Sequence, residues 1–373
     1  MVTIEAARRR NRRYLALIII VLLAAGGWSA FWYYAAGQAR IAIDGWRARE
    51  AKAGRTYTCD KQTLRGYPFR IEVDCTQATA IFRDIQPAVE VKTGHVLLVA
   101  QIYTPGLLIG EFSGPISVGA VGQPPSLIAQ WKQAKMSVSG TPTSPREVAL
   151  VLDRPVIDAV SRGTRQNLLT ANHVEVHGRM LGGTVNDHPV VELALELDHA
   201  LLPGIHTLPA TPLDGSIVAT LRGLKDFAPK PWAERFREIQ AAGGKIEINT
   251  ARVQQGETLG VGSGALSLNA QGRLDGKLTV TAAGLEHFLN AIGASEMVQQ
   301  SPAMDKVAGF LDRLSPGLGN VARQQAGNIS FSIKAIEGES KLEGRPAVTL
   351  PLAFNNGAVS LGPIPLGQVP ALF

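Results

Sequence analysis

The sequence is poor in the residues that build most reactive sites. It has two cysteines, Cys59 and Cys75, and seven histidines in 373 residues. Two cysteines exclude a disulfide-dense scaffold, and with no histidine between or beside them they do not form a zinc motif. Charged residues are scarce at 18% and hydrophobic residues reach 45%, which excludes a disordered chain. Aromatic residues amount to 6%, and no basic stripe with interleaved aromatics is present, so nucleic acid is not an expected partner. No Walker A, G-x-S-x-G, S-x-x-K or H-E-x-x-H motif stands out.

The remaining chemical candidates are weak. His173 and His177 lie in an alternating, strand-like stretch, where residues four apart are about 13 Å from each other, too far to share a metal. Gly260 to Ala265 fits G-x-G-x-x-A, but an alternating strand follows where a dinucleotide site needs a helix, so a glycine-rich hairpin or bulge is expected. Asp153, Asp158 and Asp198 have no partner visible in the sequence. No catalytic residue, cofactor or metal is therefore expected.

The charge of the chain is lopsided. Arg8, Arg9, Arg10, Arg12 and Arg13 against Glu5 give residues 1–13 a charge of +4 out of the total +6. Tyr14 to Ala36 then carry no charge. At 1.5 Å per residue, 23 residues reach roughly 35 Å, enough to cross a hydrocarbon core of about 30 Å. The arginines predict a cytoplasmic N-terminus, and Trp28, Phe31, Trp32, Tyr33 and Tyr34 read as an interfacial belt at the far end. A cleaved signal peptide shares the basic start and apolar centre, but its cleavage signals are poor here, so an uncleaved anchor is favoured. Either way the rest of the chain lies across the membrane. The expected location is the inner membrane, single-pass, with the bulk of the chain periplasmic.

The cysteines fall in YTCDKQTLRGYPFRIEVDC. Gly66-Tyr67-Pro68 signals a turn. A hairpin folded about Tyr67 sets Cys59 opposite Cys75, Lys61 opposite Val73 and Thr63 opposite Ile71. A disulfide between Cys59 and Cys75 is expected on that geometry and suits an oxidising compartment.

Residues 37–53 read as a helix stopped by Gly54, a juxtamembrane element within 37–55. Alternation then dominates 56–228, with Pro105-Gly106, Pro124-Pro125, Gly182-Gly183 and Pro203-Gly204 as punctuation. A short helix is expected near 229–243, opening close to Pro231. Strands resume from Lys245 to Thr281, helices are expected over 284–325, and the chain closes with strands at 329–336, 348–352 and 359–361. The fold class is mainly β (α+β): a transmembrane helix, then curved antiparallel sheet in one or two lobes (56–228 and 229–373) with a few covering helices. An apolar sheet face must be covered, closed into a barrel, or used to hold something apolar.

The stretch GYPFRIEVDC, placed just after a membrane-type helix, resembles the domain of unknown function 2125 family of Gram-negative bacteria. Gly66, Tyr67, Pro68 and Phe69 are its most specific part. ALSLNAQGRLDGKLTVTAAGL and LPLAFNNGAVSLGPIPLG are similar to that family as well. The resemblance covers nearly all of the chain after the anchor and implies no catalytic residue. A looser similarity to AsmA-like envelope proteins implies a periplasmic taco-like sheet tied to lipid trafficking or envelope maintenance. This chain is far shorter than the long lipid bridges of that group, which points to a local role. Three expectations follow: a binding protein for phospholipid or another envelope lipid, a scaffold docking envelope proteins, and, weakest, an enzyme with a dispersed site.

Overall fold

The computed structural model describes residues 3–141, 144–203, 211–228, 230–284, 340–362 and 364–373. Helix α1 runs unbroken from Thr3 to Lys52, so the apolar span and the juxtamembrane helix are one element. No proline interrupts it, and a helix satisfies its own backbone groups in lipid as in water. It ends at Gly54, whose φ of 84° suits glycine and whose N–H donates to Ala51 O.

The strands follow as β1 (Arg55–Thr58), β2 (Lys61–Arg65), β3 (Arg70–Phe82), β4 (Val89–Gln101), β5 (Thr104–Ala120), β6 (Leu127–Gln130), β7 (Gln133–Thr141), β8 (Ser144–Asp153), β9 (Val156–Ser161) and β10 (Thr164–Thr170). Next come β11 (His173–Thr184), β12 (Asp187–Ala200), β13 (Leu213–Leu221), helix α2 (Trp232–Ala241), β14 (Lys245–Gln255), β15 (Thr258–Leu268) and β16 (Leu274–Ala283). The last strands are β17 (Ser340–Leu342), β18 (Arg345–Asn355), β19 (Ala358–Leu361) and β20 (Ile364–Gln368). The helices expected over 284–325 and the strand at 329–336 lie outside the described residues, apart from Gly284.

These strands form one open, curved antiparallel sheet. Strands β3, β4 and β5 pair in sequence, and both β1 and β2 pair with β3. The long strand β5 then divides its partners. Leu107–Phe112 pairs with β7, while Ile116–Val118 pairs with β6, which leads to β9 and β10 as a flap. The main ladder continues β7, β8, β11, β12, β13, β14, β15, β16, β18, β19, β20. The β13–β14 ladder carries it straight across residue 229, where the alternating pattern pauses for α2.

Two apolar clusters sit at opposite strand ends. At one, Ile239 and Phe236 of α2 pack on Val191, Leu221, Leu268 and Leu274. Trp232, Phe236 and Ile239 were legible as the helix's apolar positions, although Trp232 itself stays exposed, stacked on Phe236. At the other end, Ala171, Val174, Ala200 and Leu213 are closed over by Leu169 of the β10 flap and by Leu202.

Several expectations need correction. Pro105-Gly106 lies inside β5, and the turn is Ile102-Tyr103 just before it. Gly182-Gly183 lies within β11, where the register with β12 shifts. Gly260 to Ala265 is neither hairpin nor helix start but the middle of β15; the irregularity sits opposite, between Ile248 and Ala251 of β14. The cysteine hairpin is also out of register with the simple turn count. Gln62 faces Cys75 and Leu64 faces Val73, while Cys59 stands off the ladder between β1 and β2. The disulfide forms nonetheless, with Cα atoms 5.6 Å apart. The loop from Gly66 to Phe69 is longer than a tight turn, so the strands pair three positions away from the expected sum.

Candidate functional site

Two features are built by residues far apart in the chain, and the first explains the GYPF motif. Gly66 turns the chain with φ of 108°, a conformation in which an added Cβ would lie 2.7 Å from Arg70 O. The loop thus formed docks on α1. Trp28 Nε1 donates to Pro68 O at 2.8 Å, and Trp32 Nε1 donates to Arg70 O at 2.9 Å. Ser29 Oγ and Tyr67 Oη share a hydrogen bond of 2.8 Å. The Tyr67 ring meets Trp32 edge-on at 5.6 Å and stacks on Tyr33 at 6.4 Å, and Phe69 lies 6.1 Å from Trp28. Arg65 and Arg70 bracket the loop, and both bind the buried carboxylate of Glu72. Further along the helix, Trp46 packs on Tyr57 at 4.6 Å, Arg47 donates to Cys59 Sγ at 3.6 Å, and Glu50 pairs with Arg55 at 2.6 Å. The Arg55 guanidinium is held above its ordinary range chiefly by that Glu50 hydrogen bond.

This contact redistributes the residues expected to form one interfacial belt. Trp32 is buried against protein, whereas Phe31, Tyr33 and Tyr34 stay exposed and Trp28 is half-buried. Arg8, Arg9, Arg10, Arg12 and Arg13 fall on the first turns of α1. From Tyr14 to Gly27 every residue of the helix is exposed, with no part of the described sheet against it.

The second feature is the apolar face of the sheet. Register places Leu64, Val73, Leu98, Gly110, Met136 and Leu150 in one cross-strand row. The row runs on through Val176, Leu195, Ile217, Ala251, Gly262, Val280 and Leu350, without one polar side chain from β2 to β18. The adjacent row on the opposite face includes Asp74, Glu111, Lys135, Glu175, Glu196, Ser216 and Arg252. That row also holds Leu97, Val151 and Val261, so the alternation from β2 to β18 is largely one-sided, as a buried face requires.

Among the described residues that face is closed at its ends but not along its middle. Between the α2 cluster and the β10 flap, Val148, Val176 and Leu193 are 40, 37 and 43% exposed. They are contiguous, because Gly178 faces both Val148 and Leu193 in the ladders of β11. On β15, Gly260, Gly262 and Gly264 alternate on this face, with open space above Gly260, whereas a Cβ at Gly264 would run into Lys277 O of the next strand. The glycine-rich segment that fits a nucleotide motif is thus a strand interior beside a register shift, where the neighbouring backbone approaches closely.

The polar face carries the ionisable groups. A trough of about 400 Å³ is lined by Ser137, Glu147, His177, Arg179 and Glu192 among others. Arg179 pairs with Glu192 at 2.6 Å, and His177 and His173 both bind Glu175, at 2.9 and 2.7 Å. The His173 hydrogen bond, then that of His177, lowers the Glu175 carboxyl below its usual range. The two histidines share a carboxylate, a link their spacing alone did not reveal. Asp198, without a visible partner in the sequence, joins His199 at 2.8 Å and lies near Asp214, a residue brought in by the β12–β13 pairing. Asp214 Oδ1 also accepts from the His199 N–H at 2.8 Å. The trio offers three ligand-type atoms within 4.8 Å of each other, but it is exposed at His199 and its groups bond to each other. Asp158 accepts from Asn167 at 3.0 Å, and Asp153 lies 3.7 Å from Lys132. None of these groupings joins a nucleophile, a base and an oxyanion donor.

No curated protein matches the chain. A family model described as an uncharacterized protein conserved in bacteria matches residues 32–370, beginning at the Trp32 that the GYPF loop covers and ending just past β20. A match over nearly all of the chain outside its exposed span settles membership: the protein belongs to the DUF2125 family.

Proposed function

We propose that this protein is an inner-membrane-anchored, periplasmic lipid-binding accessory protein of the cell envelope, without catalytic activity of its own. The single observation that carries this reading is the apolar face of the sheet, uncovered at Val148, Val176 and Leu193 among the described residues. Soluble domains cover such a face, and a strip of side chains at sheet spacing suits acyl chains better than a polar ligand. The apolar span, the arginines before it and the disulfide after it support a single pass with the sheet in an oxidising compartment. Anchoring holds the face within reach of membrane lipid.

The test is native mass spectrometry with lipid extraction on the full chain purified from membranes. Stoichiometric phospholipid is expected in the native chain and lost in Val176→Asp and Leu193→Asp, with the disulfide retained. A lipid-free native chain, or lipid retained by both Asp variants, would overturn the reading. A lipid-free chain giving reproducible cross-links to envelope proteins would favour the scaffold instead.

A further inference from the structure

The GYPF loop fixes a depth as well as a contact. Among the residues whose burial is described, Tyr14 to Gly27 is the longest stretch of the helix exposed at every position. Those fourteen residues rise roughly 21 Å, while a hydrocarbon core measures about 30 Å. A bilayer whose inner boundary lies at the arginine flank therefore extends past Gly27, to about the level of Tyr33. That is the stretch of α1 that the loop already occupies, through Trp28, Ser29 and Trp32.

From this we infer that the Tyr67–Phe69 loop and the neighbouring β4–β5 turn are a second membrane contact, seated at the periplasmic edge of the bilayer that α1 crosses, with Phe69 just inside the hydrocarbon boundary. The inference rests on the anchor reading and adds the orientation of the sheet to it. Phe69 is 60% exposed although its ring lies beside Trp28 at the level of the missing 9 Å or so of span. Phe69 O accepts from the Ile102 N–H at 3.2 Å, which sets the β4–β5 turn beside the loop, and Tyr103 at that turn is 65% exposed. Tyr67 keeps half its surface free beyond its contacts with α1. Aromatic rings with a polar edge, such as Tyr67 and Tyr103, collect at the border of a membrane, and Arg65 and Arg70 flank the loop with exposed side chains whose charges are paired to Glu72 and Asp74. The same arginines would be costly deeper in hydrocarbon, which limits insertion to the edge of the bilayer. The β2–β3 and β4–β5 connections then both point at the membrane, so the first strands stand on it with the apolar row starting beside the lipid.

The test places a bimane label on single introduced cysteines, Phe69→Cys and Tyr103→Cys, in the full chain, whose native cysteines are held in the disulfide. The chain is reconstituted in phosphatidylethanolamine–phosphatidylglycerol vesicles carrying spin-labelled lipid, with the spin label either near the headgroup or deep in the acyl chain. Ile20→Cys in the span and Gln123→Cys in the exposed β5–β6 connection serve as controls. The expected result is loss of most emission at positions 69 and 103 with the shallow quencher, at Ile20→Cys with the deep quencher, and at Gln123→Cys with neither. If Ile20→Cys is quenched but positions 69 and 103 behave like Gln123→Cys, the anchor stands and the second contact is overturned. If Ile20→Cys is itself unquenched, the anchor reading falls and takes this inference with it. Tyr103→Cys lies outside the clamp on α1, so it reports even where Phe69→Cys disturbs the loop.

Discussion

His199 is the most exposed test of the electrostatics. Its hydrogen bond to Asp198, with Asp214 nearby, raises its pKa above the ordinary value of about 6.5. The same bond lowers Asp198. A raised histidine contributes stability that is fully present below its unfolded pKa and lost as pH rises through the folded one. A lowered carboxylate contributes stability present above its unfolded pKa and lost as pH falls through the folded one. The pair is thus favourable between the two folded pKa values. Proton NMR should show His199 titrating later than a free histidine as pH rises, and Asp198→Asn should bring it back toward the ordinary value; an unchanged midpoint would mean the bond does not persist in solution. Gly66 tests the backbone. Gly66→Ala forces a Cβ to 2.7 Å from Arg70 O at a φ of 108°, and is expected to cost more than about 1 kcal/mol, read as a lower urea midpoint for protection of the loop from protease. At this scale the sequence was informative about residue types and silent about partners. The turn signal at Gly66 was legible because glycine's conformational freedom is local. The Trp32 contact with Arg70 was not, since it spans 38 positions.

Two elements hold the chain at its edges. The disulfide closes a loop of 16 positions around the cysteine hairpin. Replacing both cysteines with serine should cost roughly 3 kcal/mol on the chain-entropy account, seen as a shift of the urea midpoint that reductant reproduces in the native chain and leaves untouched in the double variant. Helix α2 covers one end of the apolar face through Ile239, which is 3% exposed. Ile239→Ala should cost about 2–5 kcal/mol and expose Leu268 and Leu274, with added binding of a hydrophobic dye as the readout. The helix is also tied by charge. Burial pushes Glu238 up, but Lys230, the Lys225 N–H and Arg235 outweigh it and hold the carboxyl below its ordinary range. Its contribution is present above an ordinary carboxylate pKa and lost as pH falls through the lowered one, so α2 is expected to loosen on acidification before the ladder does. The element pattern was largely readable: α2, the stop of α1 at Gly54 and the strands β11, β12, β14 and β16 all follow local periodicity. The misplaced turns at Pro105 and Gly182 share a cause. Proline and glycine mark irregular backbone, but long strands absorb both where a neighbouring ladder has an irregularity or a free donor position.

For the whole molecule, helix and sheet form one unit through the GYPF loop. A fragment beginning at residue 37 lacks Trp28, Ser29, Trp32 and Ala36, the last also buried. Such a fragment should be cut after Phe69 by limited chymotrypsin faster than the full chain in detergent. Equal rates would show that the sheet holds the loop without the helix. Lipid binding is best measured on the full chain for the same reason.

The sequence by itself determined what depends on local order: an apolar span behind an arginine cluster, a β-rich remainder, a hairpin joined by two cysteines, and a motif specific enough to indicate the family. Each follows from hydrophobic period or near-neighbour chemistry, which no distant residue alters. Only the tertiary structure decided the register. A shift of three positions moved Cys59 off its ladder. The pairing of strands far apart in the chain aligned thirteen strands into one apolar row, and the packing of the loop on α1 turned a turn motif into a clamp. These outcomes depend on which strand sits beside which, a property of long-range pairing and loop closure that local pattern does not encode.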